Sequence, residues 1–219
     1  MKGDKLIIEA WHIKAAQKTG ELLLPLLTGS TSRFIITIAG ESGSGKSEVA
    51  AALADVFSEQ DISSVILQQD DYFVYPPKTN EEMRRKNIAH VGLSEVRLNL
   101  LDGNLEDILE GRSEITRPLV IFEEDRITGE TVSLEGVRAV IVEGTYTTTL
   151  KNVHRRVFID RTYIDTREKR KLRARETQDA FLEQVLEIEH GIISSHRFRA
   201  DIIITRDYDA QVNDAKEGA

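Results

Sequence analysis

The 219-residue sequence contains no cysteine and no apolar run that approaches the roughly 18 residues needed for a membrane-spanning helix. The missing cysteines exclude disulfide bonds, thiol nucleophiles and thiolate ligands for zinc or iron–sulfur clusters. A chain without disulfides suits a reducing compartment. We therefore expect a cytoplasmic protein that has no membrane partner.

The sequence also lacks a surplus of positive charge. Its 29 Lys and Arg residues face 37 Asp and Glu residues, which gives a formal net charge of −8. Proteins that coat nucleic acid need spare cations to neutralise phosphates, so we expect no nucleic-acid partner. With 40% hydrophobic and 30% charged residues, the composition is typical of a soluble globular protein, and the length favours one domain with an addition.

From residue 33 onward, short apolar runs rich in β-branched residues alternate with segments whose apolar residues are spaced as in helices. Short, nearly continuous apolar runs are typical of parallel strands that are buried on both faces. The strand candidates are residues 34–39, 64–68, 139–142, 157–159 and 202–204. Strands that alternate with helices predict an α/β fold with a mostly parallel sheet flanked by helices.

Three further segments predict elements around this sheet. Residues 96–109 have helical spacing, with a break expected at residues 103–104. Residues 166–188 predict one long charged helix. Between these two helices, residues 115–134 predict a small peripheral β-hairpin that turns at residues 128–130.

The first 32 residues differ in pattern from the rest of the chain. Apolar residues near the start are roughly helix-spaced, Pro25 interrupts a second apolar patch, and residues 28–32 have the composition of a linker. We interpret residues 1–32 as an N-terminal helical extension that packs on the main domain, which is formed by residues 33–219. A helix that binds a separate partner is the alternative, and the sequence leaves a homo-oligomer open.

One motif carries a specific chemistry. Residues 40–47 match the phosphate-loop pattern G-x-x-x-x-G-K-S in full, directly after a predicted strand and before a helix. The glycines let backbone N–H groups turn toward phosphate oxygens, and the helix presents its positive end to them. Lys46 supplies a cation for the phosphates, and the Ser47 hydroxyl is the expected ligand of Mg²⁺. The predicted nucleotide site comprises Gly40, Glu41, Ser42, Gly43, Ser44, Gly45, Lys46, Ser47 and Glu48.

Two carboxylates follow later strands of the predicted sheet. Asp70 comes shortly after the second strand, and Glu143 ends the third. The carboxyl ends of parallel strands face the crevice where α/β sheets bind ligands. Asp70 is therefore a candidate to orient or deprotonate an attacking hydroxyl, with a turn-capping aspartate as the alternative. Glu143 is a candidate to hold Mg²⁺ through a water, with a solvated turn glutamate as the alternative.

The most basic segment lies later in the chain. Residues 167–175 contain six cations, which are Arg167, Lys169, Arg170, Lys171, Arg173 and Arg175. Arginine forks stabilise the negative charge that spreads over a migrating phosphoryl group. We predict a lid in which Arg170, Arg173 or Arg175 contacts that group. A solvated helix face, partly neutralised by neighbouring acids, is the alternative.

Taken in chain order, the phosphate loop and residues 67–73, 142–144, 182–186 and 200–204 resemble the uridine kinase and phosphoribulokinase group of P-loop small-molecule kinases. The resemblance implies a P-loop NTPase fold with a five-stranded parallel core and a helical lid. It implies transfer of the γ-phosphoryl group from ATP, with Mg²⁺, to the hydroxyl of a small substrate, and it implies Asp70 as the general base. Residues expected beside the substrate are Asp71, Tyr72, Glu143 and Tyr146.

The chain departs from uridine kinases where they contact the nucleoside. Ala89 stands at the position of a sugar-contacting aspartate, and residues 178–180 replace an Arg-Gly-Arg of the lid. These departures disfavour uridine and predict a kinase for another small hydroxylated metabolite. Two alternatives stay open. One is a nucleotide-binding regulator or pseudokinase, and the other is a kinase whose phosphorylated acceptor is held by Arg84, Arg85 or Arg97.

Overall fold

The computed structural model describes residues 6–168, 170 and 179–216. The helices longer than two turns in this part are α1 (Ala10–Thr28), α2 (Lys46–Ser58), α3 (Pro77–Lys86), α4 (Leu98–Leu109) and α5 (Ala180–Ile193). The strands are β1 (Phe34–Gly40), β2 (Ser64–Gln68), β3 (Glu114–Ile121), β4 (Arg126–Ser133), β5 (Ala139–Glu143), β6 (Arg155–Ile159), β7 (Ile202–Ile204) and β8 (Ala210–Val212). None of the helices described is both long and apolar enough to cross a membrane.

The central sheet has the strand order β2-β5-β1-β6-β7-β8. The first five strands are parallel, and β8 pairs antiparallel with β7 at the edge. Strands β1 and β5 are buried at every residue because both faces of the sheet are covered. The predicted mostly parallel α/β sheet is confirmed. The sixth strand, β8, lacked a sequence signal because its three residues are partly or fully exposed and form no apolar run.

Alternating residues of β1 divide the hydrophobic interior into two clusters. Ile36 and Ile38 pack with α1 and α2 on one face of the sheet. Ile35 and Ala39 pack with α4, the hairpin and the end of α5 on the other face. This alternation follows from the two-residue period of a strand. The sheet therefore holds its loops rigidly at the edge formed by the carboxyl ends of the parallel strands.

The N-terminal helix α1 packs on α2, and its buried side chains join the cluster on that face of the sheet. Gly20 permits the close approach, because a Cβ atom there would lie 2.7 Å from a methyl group of Val56. The expected interruption at Pro25 is wrong, since α1 continues to Thr28. Pro25 removes one N–H donor near the end of the helix, and buried Leu23 and Leu27 on either side hold the last turns in place.

Two other boundaries differ from the predictions. Helix α4 passes through residues 103–104 without a break, because Asn104 is buried and accepts a hydrogen bond from Tyr72 at 2.9 Å. The long helix predicted over residues 166–188 is wrong. Asp179 has extended backbone angles and caps α5, with its carboxylate accepting the Leu182 N–H at 2.9 Å.

The β3–β4 hairpin is confirmed, but its turn lies at residues 122–125 rather than at 128–130. Asp125 has a φ of 45°, which is a conformation that turn aspartates tolerate. Its carboxylate accepts hydrogen bonds from the backbone N–H groups of Lys78 and Thr79 at 2.6 and 3.1 Å. These bonds fasten the tip of the hairpin to the start of α3 and hold it beside the sheet edge.

Candidate active site

The phosphate loop joins the end of β1 to the beginning of α2. Gly43 and Gly45 have φ values of 76° and 96°, which residues with a Cβ atom adopt only at a cost. The Lys46 ammonium group donates to the Glu41 carbonyl at 3.0 Å, so it lies back over the loop. This curled loop at a helix N-terminus is the geometry that binds phosphate groups.

Aromatic side chains support the loop from behind. The Tyr208 hydroxyl donates to the Ser44 carbonyl at 3.3 Å, and the His12 ring packs edge-on against Tyr208 with centroids 5.3 Å apart. His12 Nε2 lies 2.9 Å from where a Cβ atom of Gly45 would stand. Trp11 lies next to this pair, with its ring centroid 6.4 Å from that of Tyr208. The N-terminal helix therefore contributes directly to the support of the nucleotide loop.

Glu41 fixes the loop to two other elements. One carboxylate oxygen lies 2.6 Å from His190 Nδ1 of α5, and the other accepts the Tyr163 N–H at 2.6 Å. The sequence assigned Glu41 to nucleotide binding. The structure instead uses the Glu41 carboxylate to tie the loop to α5. Glu48, in the first turn of α2, is buried and lines the cleft in front of the loop.

Ser47 and Glu143 meet at the base of this cleft. The Ser47 hydroxyl donates to Glu143 Oε1 at 3.0 Å, and Gln68 Nε2 donates to the same oxygen at 3.2 Å. Gln68 and Glu143 are register partners at the ends of β2 and β5. Burial, followed by the nearby charge of Asp70, raises the pKa of Glu143 to about 7. The Ser47 hydroxyl and the Glu143 carboxylate provide two oxygen ligands, and burial destabilises the carboxylate charge. This combination suits a divalent cation.

These residues fit Mg²⁺. The described residues contain no cluster of three or more carboxylates or imidazoles that could enclose a metal by themselves. Mg²⁺ does not need such a cage, because it is commonly bound through one or two protein oxygens while keeping waters and phosphate oxygens as its other ligands. Ser47 and Glu143 provide that pair of oxygens beside the phosphate loop.

Asp70 lies in a short 3₁₀ turn, Gln69–Tyr72, and lines the same cleft as Lys46 and Glu143. Desolvation, with a smaller contribution from Asp71, raises the pKa of Asp70, and Lys46 opposes the rise. Sequence analysis assigned Lys46 to the phosphates, Asp70 to the acceptor hydroxyl and Glu143 to Mg²⁺. All three line the same cleft. An aspartate held in this environment can accept a proton from a hydroxyl group.

The residues on either side of Asp70 hold it in place. Asp71 Oδ2 accepts from Arg117 Nη1 at 2.7 Å, and its other oxygen accepts the Val120 N–H at 2.9 Å. Gln69 Oε1 accepts the Tyr146 N–H at 2.7 Å. The sequence offered no sign of these roles because each partner lies 46 or more positions away along the chain.

The structure does not place Asp71, Tyr72 or Tyr146 beside a substrate. All three side chains are buried in the interior, and none lines the cleft. Asp71 instead binds the hairpin, and Tyr72 binds α4. Of the residues predicted at the substrate, Glu143 does line the cleft.

Gly144 marks the tightest packing near Asp70. A Cβ atom at this position would lie 2.2 Å from the Cβ atom of Gln69. We expect Gly144→Ala to lower the free energy of unfolding by about 1–3 kcal/mol, measured by urea denaturation, because the clash must displace Gln69. Gly129→Ala is the control, since a Cβ atom there meets nothing within 4 Å. Equal stability of the two variants would contradict this account.

Arg170 is the member of the predicted lid trio that the structure describes, while Arg173 and Arg175 lie outside the described residues. Its side chain is buried and lines the cleft. Its guanidinium donates to Thr166 Oγ1 at 2.8 Å and to the Tyr163 carbonyl, and its Cγ lies 2.8 Å from where a Cβ atom of Gly43 would stand. Arg170 is therefore packed directly against the phosphate loop.

The rest of the cleft lining consists of aromatic and charged side chains. The whole cleft has a volume of about 250 Å³, slightly below the roughly 300–1,000 Å³ of typical ligand pockets. The aromatic residues are Phe73, Tyr75, Phe122 and Phe181, and the polar residues are Lys78, Asn80, Glu81, Arg84, Arg85 and Glu189. Arg84 is held by Glu95 and Glu189, at 2.5 and 3.1 Å. Sequence analysis missed Glu95 and Glu189, which come from distant segments without a common motif.

Comparisons with known proteins agree with this geometry. A model of the phosphoribulokinase/uridine kinase family matches residues 35–180. The chain is 28% identical over 190 residues to the bifunctional alpha-galactosidase/sucrose kinase AgaSK of Mediterraneibacter gnavus, covering 80% of this chain but only 20% of that protein. It is 26% identical over 185 residues to a uridine kinase of Latilactobacillus sakei, covering 78% of this chain and 84% of that one.

The fold also matches a solved structure, that of D-glycerate 3-kinase from Cryptococcus neoformans. The TM-score is 0.60 with 13% identity, and the match covers 90% of this chain and 99% of the other. At that identity, the likeness concerns the fold. The family match over residues 35–180, on a fold and phosphate loop of this kind, shows that the chain belongs to the phosphoribulokinase/uridine kinase family, as its sequence resemblance predicted.

Proposed function

We propose that this protein transfers the γ-phosphoryl group of ATP to a hydroxyl group of a small metabolite. The observation that carries the proposal is the convergence of Asp70, Lys46 and Glu143 at the end of one cleft, directly in front of the phosphate loop. Family membership and the names of the relatives, all kinases, support the same reaction class.

In this proposal, Lys46 and the loop N–H groups hold the β- and γ-phosphates, and Ser47 and Glu143 hold Mg²⁺. When bound, Mg²⁺ would neutralise charge on the phosphate oxygens. Asp70 accepts the proton of the acceptor hydroxyl, and the oxygen of that hydroxyl group forms a bond to the γ-phosphorus. The bond between that phosphorus and the bridging oxygen breaks, and ADP leaves with the electron pair. The raised pKa of Asp70 suits a proton acceptor.

We propose that Arg170 stabilises the migrating phosphoryl group, which is supported by its place in the cleft lining beside Gly43. We expect Arg170→Gln to lower kcat/KM for ATP by at least about tenfold, measured by ADP release, because a charge-assisted contact to phosphate is lost. Arg167→Gln is the control, since Arg167 is exposed and pairs with Glu183 at 3.3 Å. Similar kcat/KM values for the two variants would remove Arg170 from phosphoryl transfer. The roles of Arg173 and Arg175 stay predictions.

The proposed reaction is tested by ADP release in the presence of a broad panel of hydroxylated metabolites. We expect at least one acceptor to raise ADP production well above the rate of ATP hydrolysis alone. Each active acceptor is then checked by mass spectrometry for the added phosphoryl group. If the protein binds ATP but no acceptor stimulates ADP release, the proposal fails and a nucleotide-binding regulator with this fold is favoured.

A further inference from the structure

We infer that the acceptor is an uncharged sugar, held in the cleft by Glu189 and the surrounding aromatic rings, and that phosphorylated acceptors are rejected. This inference rests on the proposed function, because it names the class of molecule whose hydroxyl receives the phosphoryl group. The juxtaposition that supports it is an arginine pair in the cleft lining, Arg84 and Arg85, that is already bound to carboxylates.

Both arginines are held by two carboxylates each. Arg84 makes a bidentate contact to Glu95, through Nε at 2.8 Å and Nη2 at 2.5 Å, and also reaches Glu189 at 3.1 Å. Arg85 contacts Glu81 at 2.8 Å and Asp179 at 2.9 Å. These carboxylates occupy the Nε and Nη2 donors of both guanidinium groups, so a phosphate group would compete with them for those donors. The arrangement therefore disfavours an acceptor that carries phosphate.

Arg84, Arg85 and their carboxylate partners form one wall of the cleft. The charge of this wall also opposes an anionic acceptor. Arg84, Arg85 and the neighbouring Lys78 contribute three positive charges, and the four carboxylates that hold the arginines contribute four negative charges. Glu95 is fully buried and Glu189 nearly so, which weakens the screening of their charges by water. A sugar phosphate would bring about two more negative charges into contact with this wall. A neutral molecule avoids that repulsion.

The same wall has the features that bind a sugar. Carboxylates accept hydrogen bonds from hydroxyl groups, and the ion pair with Arg84 fixes the orientation of Glu189. Four aromatic rings line the cleft, which are those of Phe73, Tyr75, Phe122 and Phe181. Aromatic rings pack against apolar surfaces, and the C–H faces of a sugar ring provide such a surface. The relative from Mediterraneibacter gnavus is named in part a sucrose kinase, which agrees with this class.

The first test compares three acceptor classes with the purified full-length protein. Neutral mono- and disaccharides, the corresponding sugar phosphates and a set of nucleosides are each incubated with ATP and Mg²⁺, and ADP release is measured. We expect a neutral sugar to have a kcat/KM at least tenfold above its phosphate and above any nucleoside. A nucleoside or a sugar phosphate as the best acceptor would overturn the inference and leave the proposed function intact. Absence of turnover with every class would overturn both.

The second test replaces Glu189 by glutamine, which keeps the shape of the side chain and removes its charge. We expect Glu189→Gln to raise KM for the neutral sugar by about tenfold to a hundredfold, because a hydrogen bond to a charged acceptor becomes a weaker one to a neutral amide, with KM for ATP nearly unchanged. The preference for the neutral sugar over its phosphate should also shrink. Glu187→Gln, on an exposed face of α5, is the matched control. An unchanged preference and KM for the sugar in a folded Glu189→Gln variant would contradict the inference.

Discussion

Replacement of Asp70 by asparagine is expected to lower kcat by about 10²–10⁴-fold while ATP binding is retained or strengthened. The amide keeps the size of the carboxylate but cannot accept the hydroxyl proton. Removing a negative charge in front of the phosphate loop also reduces repulsion of the nucleotide. The measurements are kcat from ADP release with the best acceptor and the dissociation constant for ATP from calorimetry.

The matched control for this prediction is Asp55→Asn, an exposed aspartate on α2. We expect its kcat and ATP affinity to stay close to those of the unaltered protein. A kcat for Asp70→Asn within a few-fold of the control value would remove Asp70 from the chemical step. A loss of ATP affinity in Asp70→Asn would instead indicate that the substitution disturbs the phosphate loop.

Replacement of Glu143 by glutamine is expected to lower kcat by at least about a hundredfold, because a bound divalent cation supplies several kcal/mol of charge stabilisation. The same change should stabilise the ligand-free protein at pH 8. In the folded protein the pKa of Glu143 is about 7, against an ordinary value of 4.5. Between pH 4.5 and about pH 7 the folded state binds more protons than the unfolded state, so the free energy of unfolding falls as the pH rises.

Above about pH 7 the buried Glu143 carboxylate is ionised and destabilises the folded state to the full extent. Glutamine carries no charge and removes this destabilisation. We expect a gain in unfolding free energy of about 3 kcal/mol at pH 8, which shrinks to about 1 kcal/mol at pH 5. Thermal unfolding of the ligand-free protein at both pH values measures the gain. Glu106→Gln, an exposed change on α4, is the control. A Glu143→Gln variant that is less stable than the unaltered protein at pH 8 would contradict the assigned burial cost.

The parts of the site that could be predicted from the sequence are those formed by residues that are contiguous in the chain. The phosphate loop is a short motif whose glycines and lysine act through local backbone geometry, so its position after β1 was predictable. Asp70 and Glu143 could be located because they follow buried apolar runs, and parallel strands end at one edge of the sheet. The register that pairs Gln68 with Glu143 then brings these strand ends together.

The residues that could not be predicted act through partners far away in the chain. Asp71 was expected at the substrate, but its bond to Arg117 crosses 46 positions and turns it toward the hairpin. Arg84 and Glu189 are 105 positions apart, and neither belongs to a recognisable motif. Such contacts depend on how the helices pack around the sheet. A single sequence carries no local signal for them.

The rings behind the phosphate loop give the protein an intrinsic optical probe. Trp11 is the only tryptophan in the chain, and it lies 6.4 Å from Tyr208, whose hydroxyl contacts the backbone of the loop at Ser44. A shift of the loop when a nucleotide binds would alter the surroundings of this indole. Tryptophan emission can therefore follow occupancy of the loop in real time without a label and independently of turnover.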